Sequence, residues 1–311
     1  MAGIWIYSED TVVAQQLMTM GRPLADQLGQ PLCVMTIYEQ DAPEFVAAGA
    51  NKVFVLKGNS AWPESYAPAV AALAAKESPT ALFIGATLRG KDLAAKVAAR
   101  LKTGLVTDAF AIRFENGEIE TDRVMYGGLA ICTEILQGIG VVTIPPRTFE
   151  MPNKDTSLTG DIVLVDAGVD STMVVGNVCP IVRLGADITK AERLVCVGRG
   201  LGKQEDMKLA QELAAGLGAE IGCTRSIAED YHWLPNETYI GLSGQKVKPV
   251  LYLSIGVSGQ VQHVAGIRDS KIIVAIDSNE NAPIFAAADY GIVGDLYQIV
   301  PLLTEAVKNQ R

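Results

Sequence analysis

Short runs of Val, Ile and Leu recur along this chain with helical patterns between them, and that alternation leaves few folds open. Ile4–Tyr7 reads as a strand. Thr11–Leu28 reads as a helix, with apolar residues at 12, 13, 17, 20, 24 and 28. The same reading gives strands at 32–38, 53–56 and 81–86, with helices at 43–48, 65–76 and 91–101. Strands apolar on both faces and separated by helices predict a mostly parallel sheet covered on both sides.

Between residues 107 and 175 the rhythm changes. Shorter runs at 110–114, 124–126, 130–136, 141–144 and 162–165 are separated by turn signals such as Asn116-Gly117 and Gly127-Gly128. They are expected to be antiparallel strands appended to the first sheet. Residues 184–193 are polar and aperiodic, which places a domain boundary near Asp187. The chain has 311 residues, and at ~150 residues per domain it has room for two, read as 1–187 and 188–311. The second repeats the alternation: strands at 194–197, 219–223, 250–257, 272–276 and Tyr290–Val293, helices at 204–216 and 296–308. The expected fold class is α/β in two domains. The C-terminal one is a doubly wound, Rossmann-like parallel sheet, and the N-terminal one is α/β with added antiparallel strands. Ligands of such sheets bind outside the carboxyl ends of the strands. The loops at 198–203, 223–226, 256–263 and 277–281 should therefore face one crevice.

Charge and composition narrow the function. Lys and Arg total 26 against 35 Asp and Glu, a net charge of −9, and aromatic residues are 6%. Such a chain lacks the basic footprint of a nucleic-acid or anionic-membrane binder, and the stacking platforms of a single-strand binder. No apolar run approaches the ~20 residues of a membrane span. The first residues enter a strand pattern without a basic or apolar leader, so a cytoplasmic protein is expected. On that reading the sequon at Asn236 is accidental. Five scattered cysteines without a CxxC read as free, buried thiols of a reducing compartment. With only His232 and His263 beside them, no metal site is expected.

Three features carry possible chemistry. Gly198-Arg199-Gly200-Leu201-Gly202 follows a strand and precedes a helix, where backbone amides can meet phosphate and Arg199 an anion or a ring face. With Glu220 about 20 residues on, it permits an NAD-dependent dehydrogenase; it equally permits a tight turn without a ligand. Two similar pentapeptides, Gly241-Leu242-Ser243-Gly244-Gln245 and Gly256-Val257-Ser258-Gly259-Gln260, put hydroxyls in glycine turns. Neither satisfies GxSxG, so a serine nucleophile paired with His263 is disfavoured against close approach to a flat or phosphorylated ligand, or a plain turn. His263 opens a helix, where the dipole pushes an imidazole toward neutrality. His232, within Asp230-Tyr231-His232-Trp233-Leu234, reads as structural, and the charges of 88–92 as a capped, solvated helix start.

The run from Leu251 through Ile255-Gly256-Val257-Ser258-Gly259-Gln260-Val261-Gln262-His263 to Ile267, followed by 271–277, closely resembles the signature of electron-transfer flavoprotein alpha subunits. Ala282-Pro283-Ile284-Phe285, the stretch from Ala288 to Leu296, Gly198-Arg199-Gly200 and Thr224-Arg225 extend the likeness. Gly85-Ala86-Thr87 and Gly90-Lys91-Asp92 carry it, more loosely, into the first domain. The resemblance implies an FAD-bound electron carrier rather than an enzyme. Such a subunit pairs with an electron-transfer flavoprotein beta subunit, takes electrons from flavin dehydrogenases of the acyl-CoA type, and passes them to a downstream acceptor. It implies FAD contacts from Arg199, Thr224 and Arg225, with Arg225 beside the isoalloxazine. Ile240, Gly241, Leu242 and Ser243 would form a second wall, with Ser243 near flavin N5. Ser258, Gly259, Gln260, Val261, Gln262 and His263 would wrap the cofactor, with His263 donating near O2. Asp277, Asp295 and Leu296 would complete the site, the last two at the adenosine end. The chain departs from the family at Leu242, where glutamine is common, and at Asp277, where the signature ends in asparagine.

The polar segment 184–193 is expected to be a hinge on which 188–311 swings, since a carrier must approach several partners. Crosslinking the two domains through engineered cysteines should then preserve FAD and abolish transfer from a dehydrogenase. Normal transfer in the locked protein would sink the idea.

Overall fold

The computed structural model describes residues 2–170, 172, 176–179 and 186–309. The chain divides into two compact units, Met1–Val178 and Cys179–Arg311. The sequence-based boundary at 187/188 lies nine residues further on, and residues 184 and 185 of the expected hinge lie outside the described residues.

The first unit is built on a seven-stranded sheet in which every pairing is parallel. Its strands are β1 (Ile4–Tyr7), β2 (Leu32–Thr36), β3 (Lys52–Lys57), β4 (Ala81–Gly85), β5 (Leu105–Val106), β9 (Gly140–Ile144) and β10 (Asp161–Asp166). They are ordered β10-β3-β2-β1-β4-β9-β5. The inner strands are buried on both faces because they are apolar at odd and even positions, while the edge strand β10, equally apolar, leaves Ile162, Val163 and Leu164 exposed. Ile4 and Ile6 enter one core layer; Trp5 and Tyr7 enter the other. Helices α1 (Thr11–Leu28), α2 (Ala42–Ala47), α3 (Ala67–Glu77) and α4 (Leu88–Leu101) supply those layers. α1 starts at Asp10, whose carboxylate accepts from the amides of Val12 and Val13, and stops at Gly29 in the left-handed conformation.

The antiparallel expectation holds for only part of its range. β6 (Ala109–Glu115), β7 (Glu118–Met125) and β8 (Ala130–Ile135) form a separate three-stranded antiparallel sheet. The runs at 141–144 and 162–165 instead belong to β9 and β10, which join the parallel sheet. Gly140–Ile144 is buried throughout, as an inner strand requires. β7 is longer than its apolar tip at 124–126, because Glu118–Asp122 pairs along β6, with Glu120 and Asp122 held in ion pairs to Arg113 and Ile119 and Thr121 buried on the other side.

The second unit carries β11 (Arg193–Val197), β12 (Glu220–Cys223), β13 (Leu251–Ile255), β14 (Ile272–Asp277) and β15 (Tyr290–Val293). All pairings are parallel and the order is β12-β11-β13-β14-β15. Numbered within the unit, this is the doubly wound 2-1-3-4-5 arrangement, which reverses between its first and third strands. Helices α5 (Met207–Leu217) and α7 (Leu296–Asn309) cover one face; α6 (Val261–Ile267) lies on the other. Cys33, Cys196 and Cys223 are buried free thiols, as expected, but Cys132 is half-buried and Cys179 exposed.

α4 begins three residues before the expected start because Thr87 caps it, its hydroxyl accepting from the Gly90 amide at 2.8 Å. Its first-turn arginine is no loose surface charge: Arg89 stacks 4.1 Å from the Trp62 ring and pairs with Glu64 at 3.1 Å. A Cβ on Gly90 would sit 1.9 Å from the Gly85 carbonyl oxygen, whereas one on Gly104 would meet nothing within 4 Å. Gly90→Ala should therefore cost about 3 kcal/mol, read as a lowered urea midpoint, while Gly104→Ala should stay within about 0.5 kcal/mol of the parent.

Candidate cofactor site

The carboxyl ends of all five strands of the second unit meet one cavity of about 570 Å³, a size typical of cofactor sites. Arg199 and Gly200 come from the turn after β11, Thr224 and Arg225 follow β12, and Gly256 to Gln260 follow β13. Asp277 and Ser278 end β14, and Gly294 to Tyr297 lead from β15 into α7. Tyr239 to Ser243, an excursion between β12 and β13, close the remaining wall.

The floor lies at the point where strand order reverses. There the turns after β11 and β13 touch backbone to backbone. Gly200 N–H donates to Gly256 O at 3.0 Å, and a Cβ on Gly200 would stand 2.5 Å from Gly256 Cα. This contact explains the glycines and alters the reading of the Gly198–Gly202 turn. Gly198, Gly200 and Leu201 give their amides to Ile255 O, Gly256 O and Gly198 O, and Gly202 gives its own to the Tyr297 hydroxyl. Those amides are not free for a phosphate. Glu220 pairs in register with Leu194 at the opposite, amino-terminal end of the sheet. The dehydrogenase alternative therefore loses both of its anchors.

Free donors lie in the next turn. The amides of Ser258, Gly259 and Gln260 have no partner among the described residues, and no side chain caps α6. Gly259 is required there: its φ is +77°, and a Cβ would lie 2.4 Å from Ile284 Cα. Buried within the cavity, the Thr224 hydroxyl oxygen has no hydrogen-bond partner, which is the mark of a polar group that a ligand completes. Free amides, an orphaned hydroxyl and two guanidiniums fit a long, anionic, partly flat ligand. FAD has that shape and chemistry.

Fifteen of the sixteen residues expected from sequence line this cavity. Val261 does not; its side chain is 55% exposed and it is absent from the lining. As the first residue of α6 it turns its side chain outward while its neighbours turn in. Arg225 is two-thirds exposed and held by Glu229, one turn along a short π-helical segment, Ser226–Asp230. Asp277 and Asp295 each accept from an amide two residues ahead, Asn279 and Tyr297. The unexpected carboxylate of Asp277 thus closes its own loop. Tyr239 and Tyr297 went unnoticed in the sequence. Tyr239 donates to Ser243 O at 2.6 Å, and Tyr297 links Gly202 to Asp206. Tyr297 finds its partners some ninety residues away, and Tyr239 bonds within its own loop, where no regular element sets a spacing to read.

His263 departs from expectation most. It is a buried neutral imidazole, but both of its nitrogens are committed inside the domain. Nδ1 lies 3.0 Å from Ile240 O and Nε2 lies 2.7 Å from the Tyr252 hydroxyl. The ring thus has no N–H left to give to a flavin oxygen. Burial, rather than the dipole of a seven-residue helix, depresses its pKa to about 4, with the Ile240 hydrogen bond pulling slightly upward. His232 bonds the Ala228 carbonyl at 3.1 Å and is structural.

Comparison with known proteins agrees with this site. Residues 187–268 match the family described as the electron transfer flavoprotein FAD-binding domain, and residues 5–170 the electron transfer flavoprotein domain. "Putative electron transfer flavoprotein subunit YdiR" of Escherichia coli (strain K12) is 39% identical, over 96% of this chain and 96% of its own. Protein FixB of Escherichia coli O6:K15:H31 and of Escherichia coli O157:H7 are each 36% identical, over 98% of this chain and 97% of their own. The chain belongs to the electron transfer flavoproteins, as an alpha-type subunit, and its cofactor is FAD. No helix among the described residues is long and apolar enough to cross a membrane.

The buried imidazole makes a pH prediction. Its folded pKa, about 4, lies below the ordinary 6.5, so between these values the unfolded chain binds a proton that the folded one refuses. The stability from neutral His263 is complete above pH 6.5 and is lost as pH falls toward 4. Urea unfolding of the parent should lose up to about 3 kcal/mol more across this window than that of His263→Gln. Parallel pH curves would refute it.

Proposed function

We propose that the chain is the alpha subunit of a heterodimeric electron-transfer flavoprotein, a cytoplasmic carrier and not an enzyme. It accepts electrons from flavin dehydrogenases, of the acyl-CoA type used in fatty acid oxidation, and delivers them to a downstream redox acceptor. The region 188–311 holds FAD, and 1–187 packs with the beta subunit. The observation that carries this reading is the cavity itself: five strand ends converge on free amides and guanidiniums, with the lone histidine of the site neutral and internally bonded.

When bound, FAD supplies the electron chemistry. The chain binds it and sets its surroundings. Amides 258–260 and the Thr224 hydroxyl would donate to the cofactor's oxygens, and Arg199 and Arg225 would balance its negative charge. With FAD bound, Ser243 and Leu242 would border the ring and Asp295 and Leu296 the adenosine end, with Ile240, Gly241 and Gln262 forming the walls between.

The purified complex should show the visible bands of a flavin, which bound NAD lacks; a colourless complex refutes the reading. One FAD per heterodimer and little on the isolated alpha chain are expected, because the cavity is open on one side. Full occupancy of the alpha monomer would contradict the shared site.

Arg225 and Glu229 should have opposite effects on the flavin. Removing the cation by Arg225→Ala should lower the one-electron potential, since negative charge on the reduced ring loses a partner. Glu229→Gln releases the guanidinium and should raise it. Potentiometric titration reads both, and unchanged potentials with FAD retained would remove Arg225 from this role.

A further inference from the structure

Behind the cavity wall lies a buried polar cluster to which none of the assigned roles extends. Tyr252 on β13 and Cys196 on β11 face the same side of the sheet, beneath α6. Tyr252, wholly buried, places its hydroxyl 2.7 Å from His263 Nε2; the Cys196 thiol is 4.0 Å from the same nitrogen. On the other side of the ring, Nδ1 stands 3.0 Å from Ile240 O. Chemistry fixes the protons. A carbonyl only accepts, so Nδ1 carries the hydrogen. In a neutral imidazole Nε2 is then an acceptor, and the Tyr252 hydroxyl must donate to it.

Ile240 begins the wall segment Ile240-Gly241-Leu242-Ser243, all four residues of which line the cavity. Two hydrogen bonds tie this segment to α6: His263 Nδ1–H to Ile240 O, and Leu242 N–H to Gln262 O at 2.7 Å. Between them Gly266 presses on the backbone of Gly241, where a Cβ would come within 2.7 Å of its nitrogen. The wall thus rests on one helix turn, and the orientation of that turn's histidine depends on a hydroxyl from the sheet.

We propose that Tyr252 is a positioning residue of the cofactor site, donating to His263 and so locking the Nδ1–H tautomer that holds the 240–243 wall against α6. The residue touches no part of the cavity and acts only through the imidazole. Without its hydroxyl, Nε2 becomes a buried acceptor with only a weak thiol donor at the edge of range. The ring then gains by moving its proton to Nε2 or by turning, and either change releases Ile240 O. The significance of the wall for FAD rests on the function proposed above; the tautomer lock does not.

The test is Tyr252→Phe in the full chain with ¹⁵N-labelled histidine. Only two histidines are present, so the imidazole nitrogens are assignable. The parent should show His263 as the Nδ1–H tautomer. The variant should populate Nε2–H, and the Leu242 amide should exchange about tenfold faster with solvent. FAD should dissociate from the complex with the beta subunit about tenfold more readily. A variant that keeps the parent tautomer, with Leu242 exchange within about twofold, overturns the proposal. If Tyr252→Phe does not fold, His263→Asn and His263→Leu replace it. The asparagine amide can still donate to Ile240 O and should keep Leu242 protected, and the leucine should not; equal protection in both overturns it. A colourless complex with an intact tautomer lock would sink the FAD reading and leave the lock standing.

Discussion

The contact between Gly200 and Gly256 sets the geometry of the cofactor site. The two turns that leave the sheet at its reversal point meet without side chains. A Cβ on either glycine would fall within 2.6 Å of the other's Cα. Larger residues would force the turns apart and break the hydrogen bond between them. Held together, they give the cavity a closed backbone floor, and the remaining walls come from loops that rise around it. The same contact largely removes the most conspicuous glycine turn of the sequence from phosphate recognition, because the amides of Gly198, Gly200, Leu201 and Gly202 are consumed within the fold. Donors for an anionic ligand pass to the next turn, residues 258–260.

Much of this was legible in the chain. The run Ile4-Trp5-Ile6-Tyr7 sends alternate apolar side chains into two core layers, the pattern expected of a doubly covered strand. Four of the five carboxyl-end loops could be listed from the same alternation, and fifteen of the residues that the family resemblance implied line the cavity. Partnering was not legible. Residues 141–144 and 162–165 carry the apolar character of strands, but nothing local says which neighbour they pair with, and β10 crosses back to β3 over a hundred residues of chain. Nor was the commitment of His263. Its acceptor is a main-chain carbonyl, which no residue type announces, and its donor Tyr252 sits eleven positions earlier within the same apolar run. Val261 stands outside the lining for a simpler reason: a contiguous motif is not a contiguous surface, and a helix start shows only some of its side chains to the cavity.

The electrostatics of the cavity follow from what each charge already does. The chain carries a net −9, yet the two carboxylates nearest the site are occupied with amides of their own loops. Asp277 holds Asn279, and Asp295 holds Tyr297 at the start of α7. A carboxylate that accepts from backbone N–H groups has part of its charge met locally, so Asp277 is compatible with a nearby anion. Its departure from the asparagine of the family signature then changes the charge of the loop more than its shape, since either side chain can accept from the amide of Asn279.

The positive side is arranged differently. Buried His263 is neutral and contributes no charge, so the site's cationic character rests on arginines near the surface. Arg225 is two-thirds exposed and paired with Glu229, and an exposed pair of this kind contributes little because water screens it. Screening is also what makes it adjustable. Any surface that covers the open side of the cavity removes water from around the guanidinium, and the same charge then acts in a lower dielectric. The floor and the wall locked to α6 are set by backbone contacts and buried hydrogen bonds, and stay fixed. The charge at the rim is set by exposure, and changes with whatever closes over it. The cradle is thereby set by contacts within the fold, and the field at its rim by how much water reaches Arg225.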